Sequence, residues 1–423
     1  MIETDGDRPL TDPADEQSDR TANPGEEVVN PYRVLGVVAT SHSATHAQSA
    51  FLPLIYPFVM AQFGLTYGDI GLMTGVGSAV GNAMQGVYGF AVRRFFRRTI
   101  FAAGNLMLGI SVLLMGVAGS FPAFFAFSLL AQLSRSPQHP IGASLIADAF
   151  GQKLRGTALA LDVAGGNLGT VLVPLIGVLA IGAFGWRQSL MGLALLPVLA
   201  GVLCLALLPR GGKASPAKAG GDGSSLHWTK ELLDPLRDRN MLFIVLAGIA
   251  GAGGRGIGVM MVYFPLYLHQ SLHFDGLAYG GLYTVMLVGS VVGPLVMGYI
   301  SDRMERKVIL MVAYLLSATA VIALVLVGTN VLALVLVTAA IGLVVFSQSS
   351  LIRTLVADVV EAGEREMAFG VFFVAMSLGG VVWAITIGYW IDAFGFFSAF
   401  ALMACSYLAA AAALLPVKVG RMS

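Results

Sequence analysis

Charge is what this sequence has least of. Asp, Glu, Lys and Arg make up 12% of its 423 residues, and the mean hydropathy is +0.80. Soluble domains carry about 25% charged residues, so the composition excludes that class and points to a polytopic membrane protein. Cysteine is nearly absent: Cys204 and Cys405 lie in apolar runs without metal-ligand spacing, which excludes a disulfide framework. The first 30 residues lack the basic segment and apolar run of a cleaved signal peptide. They are polar and acidic (Glu3, Asp5, Asp7, Asp12, Asp15, Glu16, Asp19, Glu26, Glu27) and read as a disordered cytoplasmic tail. No nucleotide-binding motif, nucleophile arrangement or clustered metal ligands are visible. That argues against ATP-driven transport and against an enzyme, so no catalytic residue, metal or cofactor is expected. The glycines around Gly75, Gly77 and Gly253 are explained by close helix packing rather than by phosphate binding.

What is present is apolar length. A spanning helix needs about 20 largely apolar residues. Windows of that size predict an all-α protein of twelve transmembrane helices: 33–61, 69–92, 99–118, 121–148, 155–183, 187–208, 240–269, 276–301, 308–328, 331–358, 366–391 and 395–416. The polar stretch 209–239, with GGKASPAKAGGDGSS, is the composition of a flexible linker. It divides the chain into a tail (1–32), an N-terminal six-helix bundle (33–208), the linker, a C-terminal bundle (240–416) and a short tail (417–423). Basic residues gather in alternate loops: Arg93, Arg94, Arg97 and Arg98; Lys153 and Arg155; Lys213, Lys218, Lys230, Arg237 and Arg239; Arg303, Arg306 and Lys307. By the positive-inside rule both termini are expected in the cytoplasm.

The two bundles repeat each other. Gly89 to Arg98 matches Gly298 to Lys307 in spacing, an offset of 209. Gln138, Asp148, Arg155, Ala158 and Gly169 recur as Gln348, Asp358, Arg365, Ala368 and Gly379, an offset of 210. Internal similarity between six-helix halves marks a duplicated transporter with a binding site near the bilayer midplane.

The loop GYISDRMERK (Gly298 to Lys307) resembles the signature of the major facilitator superfamily, with Glu305 in place of its second glycine. The N-terminal copy departs further, having Arg93 where the aspartate is expected and Phe96 where the glycine is. Within that superfamily, Leu35 to Thr74 and the run HPIGASLIADAFGQKLRGTALALDVAGGNLGTVLVPLIG, with its His139-Pro140 pair and Gly-Gly-Asn167-Leu-Gly, resemble fosmidomycin-resistance-type efflux proteins. Those relatives carry His-x-x-Asn-Asp in the first helix; here His42 is kept, but Thr45 and His46 stand in for the Asn and Asp. The resemblance implies alternating access, with helices 1, 4, 7 and 10 lining a central cavity. Those helices carry His42, His46, Arg135, His139, Arg255 and Arg353.

Ionisable groups at membrane depth are costly and mark pathways. His42 lies nine positions after Arg33 and His139 nine before Asp148, which places each about 13 Å from the cytoplasmic helix end. Arginine presents a planar fork suited to carboxylate, phosphate or phosphonate. Arg135, Arg255 and Arg353, with His139, Gln138 and Asn167, are therefore the expected ligands of an anionic substrate. The i, i+4 pair His42 and His46, with the deep carboxylate Asp162, is expected to carry protons. The charges Asp148, Arg155, Asp302, Arg303, Asp358 and Arg365, at duplicated positions near helix ends, read as cytoplasmic gate salt bridges. Tyr56, Tyr88, Tyr263, Tyr267, Phe346 and Trp383 are the aromatics available to an apolar moiety, although packing explains them as well.

The expected function is secondary active transport: proton-coupled efflux of a small anionic or amphiphilic drug or metabolite, by a monomer in a prokaryotic inner membrane. Its expected partners are the small-molecule substrate, protons and membrane lipid, with no nucleic acid. The alternative within the class is an organic-anion exchanger or importer without proton coupling. A membrane receptor or scaffold would need neither duplicated gates nor a charged midplane.

Overall fold

The computed structural model describes residues 30–209, 234–361 and 364–418. Residues 1–29 of the expected N-terminal tail, most of the linker and the last residues of the C-terminal tail lie outside these, as does the side chain of Arg93; α1 starts at Pro31, two residues inside the expected tail. Among the described residues the regular elements are all helical. They are α1 (Pro31–Phe63), α2 (Tyr67–Arg94), α3 (Arg97–Val117), α4 (Phe121–Arg135), α5 (Gln138–Ala149), α6 (Gln152–Leu193) and α7 (Leu195–Leu207). After the linker come α8 (Arg239–Gly251), α9 (Met261–Leu266), α10 (Gly276–Ser301), α11 (Arg306–Leu326), α12 (Val331–Val345), α13 (Gln348–Val359) and α14 (Arg365–Leu414).

The boundaries of these elements and of the expected spans match in one respect and differ in another. Where two spans are expected at 155–183 and 187–208, α6 and α7 together run over 56 residues with only Ala194 between them. A straight helix of that length would reach about 84 Å, nearly three times a hydrocarbon core of about 30 Å. The chain instead folds back at Gly185, whose φ of 79° is open to glycine but strained for other residues. Gly395, at φ 77°, does the same inside α14.

Conversely, the spans expected at 121–148, 240–269 and 331–358 are each interrupted. Pro137 has no amide hydrogen to continue α4, and the Ser136 hydroxyl donates to the Gln132 carbonyl at 2.6 Å and the Gly81 carbonyl at 3.0 Å. The matching break between α12 and α13 carries Ser347, whose hydroxyl donates to the Leu343 carbonyl at 2.5 Å. Between α8 and α9 the backbone leaves the helical path at Ile257 and Gly258. Irregular backbone at this depth is tolerated where it is covered by protein or lines a polar cavity.

Packing fixes which helices face one another. In the first half α1 lies along α6, and α3 packs on α4 and α7; in the second, α10 lies along α12, and α14 along α8 and α11. Contacts joining the halves gather at the end opposite the arginine-rich loops. There the Asp392 carboxylate accepts hydrogen bonds from the backbone N–H groups of Tyr67 and Gly68, at 2.9 and 2.7 Å, capping the start of α2. Tyr279 donates to the Leu54 carbonyl at 3.2 Å, and Tyr263 reaches that of Tyr67 at 3.4 Å. Halfway down, Asn82 donates to the Ser377 hydroxyl at 2.9 Å.

Candidate functional site

The polar centre of the first half is built on α1. Its N-terminus is fixed by Asn30, whose side chain accepts from the amides of Tyr32 and Arg33. Helical spacing then puts His42, His46 and Ser49 on one face. Asp162 and Thr170 reach that face from α6, two turns apart. The His42 ring is 4% exposed, and Gly166 makes room for it: a Cβ there would fall 2.9 Å from His42 Cδ2.

The result is a chain of side-chain hydrogen bonds. Asp162 Oδ2 meets His42 Nδ1 at 3.0 Å, His42 Nε2 meets His46 Nε2 at 3.1 Å, and His46 Nδ1 meets Thr170 Oγ1 at 2.9 Å. Asp162 is 7% exposed, and its other oxygen, Oδ1, is buried without a hydrogen-bond partner. His139, at the start of α5, completes the group, its ring centroid 5.3 Å from that of His42 and 6.4 Å from that of His46. The break at Pro137 brings Arg135 and His139 to the same space, and Arg135 Nη1 donates to Ser49 Oγ at 2.5 Å.

Two adjoining cavities share Ala252, Arg255, Ile257 and Met376. The larger, about 230 Å³, is lined by Arg135, His139 and Arg255 together with Gln85, Asn82 and Gln132. The smaller, about 170 Å³, lies in the second half between Arg255 and Arg353, walled by Tyr314, Phe372 and Phe373. Among the described residues, none of those lining either cavity is acidic. Arg255 sits where α8 has ended and the backbone is extended, so its side chain projects from irregular backbone. Arg353 is one turn beyond Ser349 on α13 and donates to its carbonyl through Nε at 2.8 Å.

The structure thus gathers Arg135, Arg255, Arg353 and His139 at the cavities, and His42, His46 and Asp162 beside them. Gln138 is placed elsewhere: it is buried against α1, its Oε1 accepting from the Ser41 hydroxyl at 2.5 Å. Its repeat partner Gln348 donates to the Ser317 hydroxyl at 2.7 Å but also lines the smaller cavity. Asn167, half-buried on α6, lines neither cavity.

Of the six expected gate charges, three carboxylates form ion pairs within a half. Asp148 pairs with Arg97, while Asp302 and Asp358 both hold Arg306, at 3.1 and 2.5 Å. Arg303 lies over the Tyr299 ring, 3.5 Å from its centroid, Arg365 donates to the Val360 carbonyl, and Arg155 is exposed. The aromatics lining the cavities are Tyr314, Phe372 and Phe373. Tyr263 and Trp383 instead donate to backbone carbonyls between helices. Ser49, Thr170 and Asp392 carried no signal in the sequence.

Comparison with known proteins agrees with this architecture. The family model for the Major Facilitator Superfamily matches residues 38–351 and, in a second match, 256–422. The chain is 23% identical over 357 residues to the fosmidomycin resistance protein of Escherichia coli (strain K12), covering 83% of this chain and 84% of that one. It is 27% identical over 261 residues to the cis,cis-muconate transport protein of Acinetobacter baylyi, covering 59% and 61%. Among solved structures, the nucleoside transporter NupG superposes with a TM-score of 0.74 at 13% identity over 92% of this chain and 98% of that one. A bacterial homologue of the human lysosomal transporter Spinster, inward-facing and unoccupied, gives 0.71 at 15% identity over 93% and 100%.

Proposed function

We propose, for a chain that belongs to the Major Facilitator Superfamily and is therefore an integral membrane transporter, that it exports a small organic anion in exchange for protons by alternating access. The observation that carries this reading is the charge of the cavities. Three guanidinium groups open onto them and no carboxylate among the described lining residues neutralises them. A guanidinium out of bulk water needs a counter-ion, and an anionic substrate supplies one. Phe372, Phe373 and Met376 offer its apolar part a surface. The similarity to the fosmidomycin resistance protein supports the outward direction.

The chain from Asp162 to Thr170 supports the coupling. With Asp162 ionised, Thr170 donates to His46, His46 to His42, and His42 to the carboxylate, and both rings are neutral. With one further proton on Asp162, every bond reverses: the acid donates to His42, His42 to His46, and His46 to Thr170. The Thr170 hydroxyl then turns to the Gly166 carbonyl, 3.4 Å away. Both arrangements satisfy the same geometry and differ by one proton. The basic loops around Arg97 and Arg306 would face the cytoplasm of a bacterial inner membrane.

Transport in proteoliposomes under an imposed pH gradient tests the reading, with a panel of phosphonates, carboxylates and cationic drugs. Uphill movement of an anion driven by protons is the expected result. Anion counterflow indifferent to pH would refute the coupling, and transport restricted to cations would refute the substrate class.

A further inference from the structure

Three histidines from two helices converge beside the larger cavity, whose wall includes His139, and one ring nitrogen of each lies close to those of the other two. We propose that His42, His46 and His139 form a binding site for one divalent transition-metal ion, of the Zn²⁺ or Co²⁺ class, with its fourth position open to the cavity.

One nitrogen from each ring lies within 4.8 Å of the other two. The His42 and His46 Nε2 atoms are already 3.1 Å apart. Zinc–nitrogen bonds of about 2.0–2.1 Å in a tetrahedron put ligand nitrogens about 3.4 Å apart, so this pair needs only a small separation to clasp an ion. His139 closes the remaining distance by a side-chain rotation, for which the cavity gives it room: it is exposed and lines the space.

The outer partners fit as well. Metal-bound histidines typically hold their second nitrogen on a carboxylate, carbonyl or similar acceptor, which fixes the ring and its free lone pair. Here the Asp162 carboxylate occupies His42 Nδ1 at 3.0 Å and the Thr170 hydroxyl occupies His46 Nδ1 at 2.9 Å, leaving both Nε2 atoms for the ion.

A second observation points the same way. Asp162 Oδ1 is buried and has no partner, so the cluster holds a carboxylate with acceptor capacity to spare. That charge offsets one of the two on the ion. Arg135, beside the site, disfavours a bare cation and favours an anionic fourth ligand over water. Imidazole donors suit Zn²⁺, Co²⁺, Ni²⁺ and Cu²⁺ rather than Mg²⁺ or Ca²⁺. Occupancy rests on this geometry alone. Its consequence rests on the proposed coupling: an ion between His42 and His46 replaces their hydrogen bond and interrupts the proton chain, so Zn²⁺ should inhibit transport.

The test is Co²⁺ titration of the full-length protein in detergent, with any affinity tag removed, read by visible absorption. One ion per chain is expected, with the intense ligand-field bands of a four-coordinate nitrogen site, displaced by Zn²⁺ and not by Mg²⁺. His139→Ala should remove the bands and weaken binding at least about tenfold, and Asp162→Asn should weaken it about 10–100-fold. His273→Ala, at a site apart from the cluster, should change nothing. Metal-free melting of His139→Ala checks that it folds, and loss of the Zn²⁺-induced rise in melting temperature repeats the test without colour. No saturable Co²⁺ binding, or binding that His139→Ala leaves unaltered, would overturn the proposal. Metal-loaded protein that still transports under full proton control would refute the coupling role of the histidines while upholding the site.

Discussion

The contact most exposed to a decisive test is the one between Asp392 and the start of α2. Its two carboxylate oxygens accept from Tyr67 N and Gly68 N at 2.9 and 2.7 Å, tying the second half to the first. Alternating access requires that this end open, so these bonds belong to one state and are lost in the other. Asp392→Asn keeps the size of the side chain but removes one acceptor and the charge that favours a helix N-terminus. A hydrogen bond to a charged group contributes about 1.5–3 kcal/mol, and exposure of Asp392 to solvent reduces that here. A loss of about 1–2 kcal/mol moves the equilibrium about 5–30-fold away from the state closed at this end. The assay is a distance measurement between spin labels at Leu65 and Phe394, which flank the contact, in a background with Cys204 and Cys405 replaced. The expected result is a larger long-distance fraction in Asp392→Asn and a larger one still in Asp392→Ala. Distributions identical to that of the parent would refute the argument, since the carboxylate would then contribute nothing to closure.

Other consequences can be measured separately. Arg255→Gln, and independently Arg135→Gln, should weaken binding of a transported anion about 10–100-fold, the size of one lost charge-assisted bond; unchanged uptake kinetics would remove that arginine from the site. Asp162→Asn should retain anion counterflow while losing the response to a pH gradient, and a variant still fully driven by pH would dismiss Asp162 as the coupling acid. Gly166→Ala places a methyl group against His42, so a stability loss of about 1–3 kcal/mol should come with impaired pH response; normal pH response would show that the ring tolerates displacement. Arg306→Ala breaks two partly exposed ion pairs, each worth about 0–1 kcal/mol, so a melting temperature lower by only a few degrees is expected.

Apolar length made the spans legible, and the charged loops marked their ends, because both signals are local. The interruptions were not: Pro137 announces one, but Ser347 breaks α12 from α13 with no proline, and nothing near Gly258 distinguishes it from the other glycines of that run. The carboxylates Asp148, Asp302 and Asp358 are marked in the sequence by their place at helix ends, but that their partners are Arg97 and Arg306 is not. Pairing depends on which helix ends meet, and sequence offsets do not carry that. For the same reason Gln138, an attractive ligand by position, turns away to Ser41. The approach of His139 to His42 and His46 needs α5 to pack against α1, across more than ninety positions of chain.

The repeat also says where chemistry should reside. Several positions that match at an offset of about 210 brace the scaffold: Gln138 holds α5 to α1, Gln348 holds α13 to α11 at the edge of the smaller cavity, and Arg97 and Arg306 hold carboxylates at helix ends. The groups proposed to act are those where the match fails. At that offset Arg135 corresponds to Val345, His139 to Ser349, and Asp162 to Phe372, while Arg353 corresponds to Ala143. A duplicated scaffold can rock because its halves fold alike, but two identical halves would present identical charges to the cavity. Here one half holds the carboxylate, the histidines and Arg135, and the other holds Arg255 and Arg353 over an aromatic wall. An anion spanning Arg135 and Arg255 therefore touches both halves, so its arrival or departure changes the energy of their relative movement, which is the coupling a carrier requires.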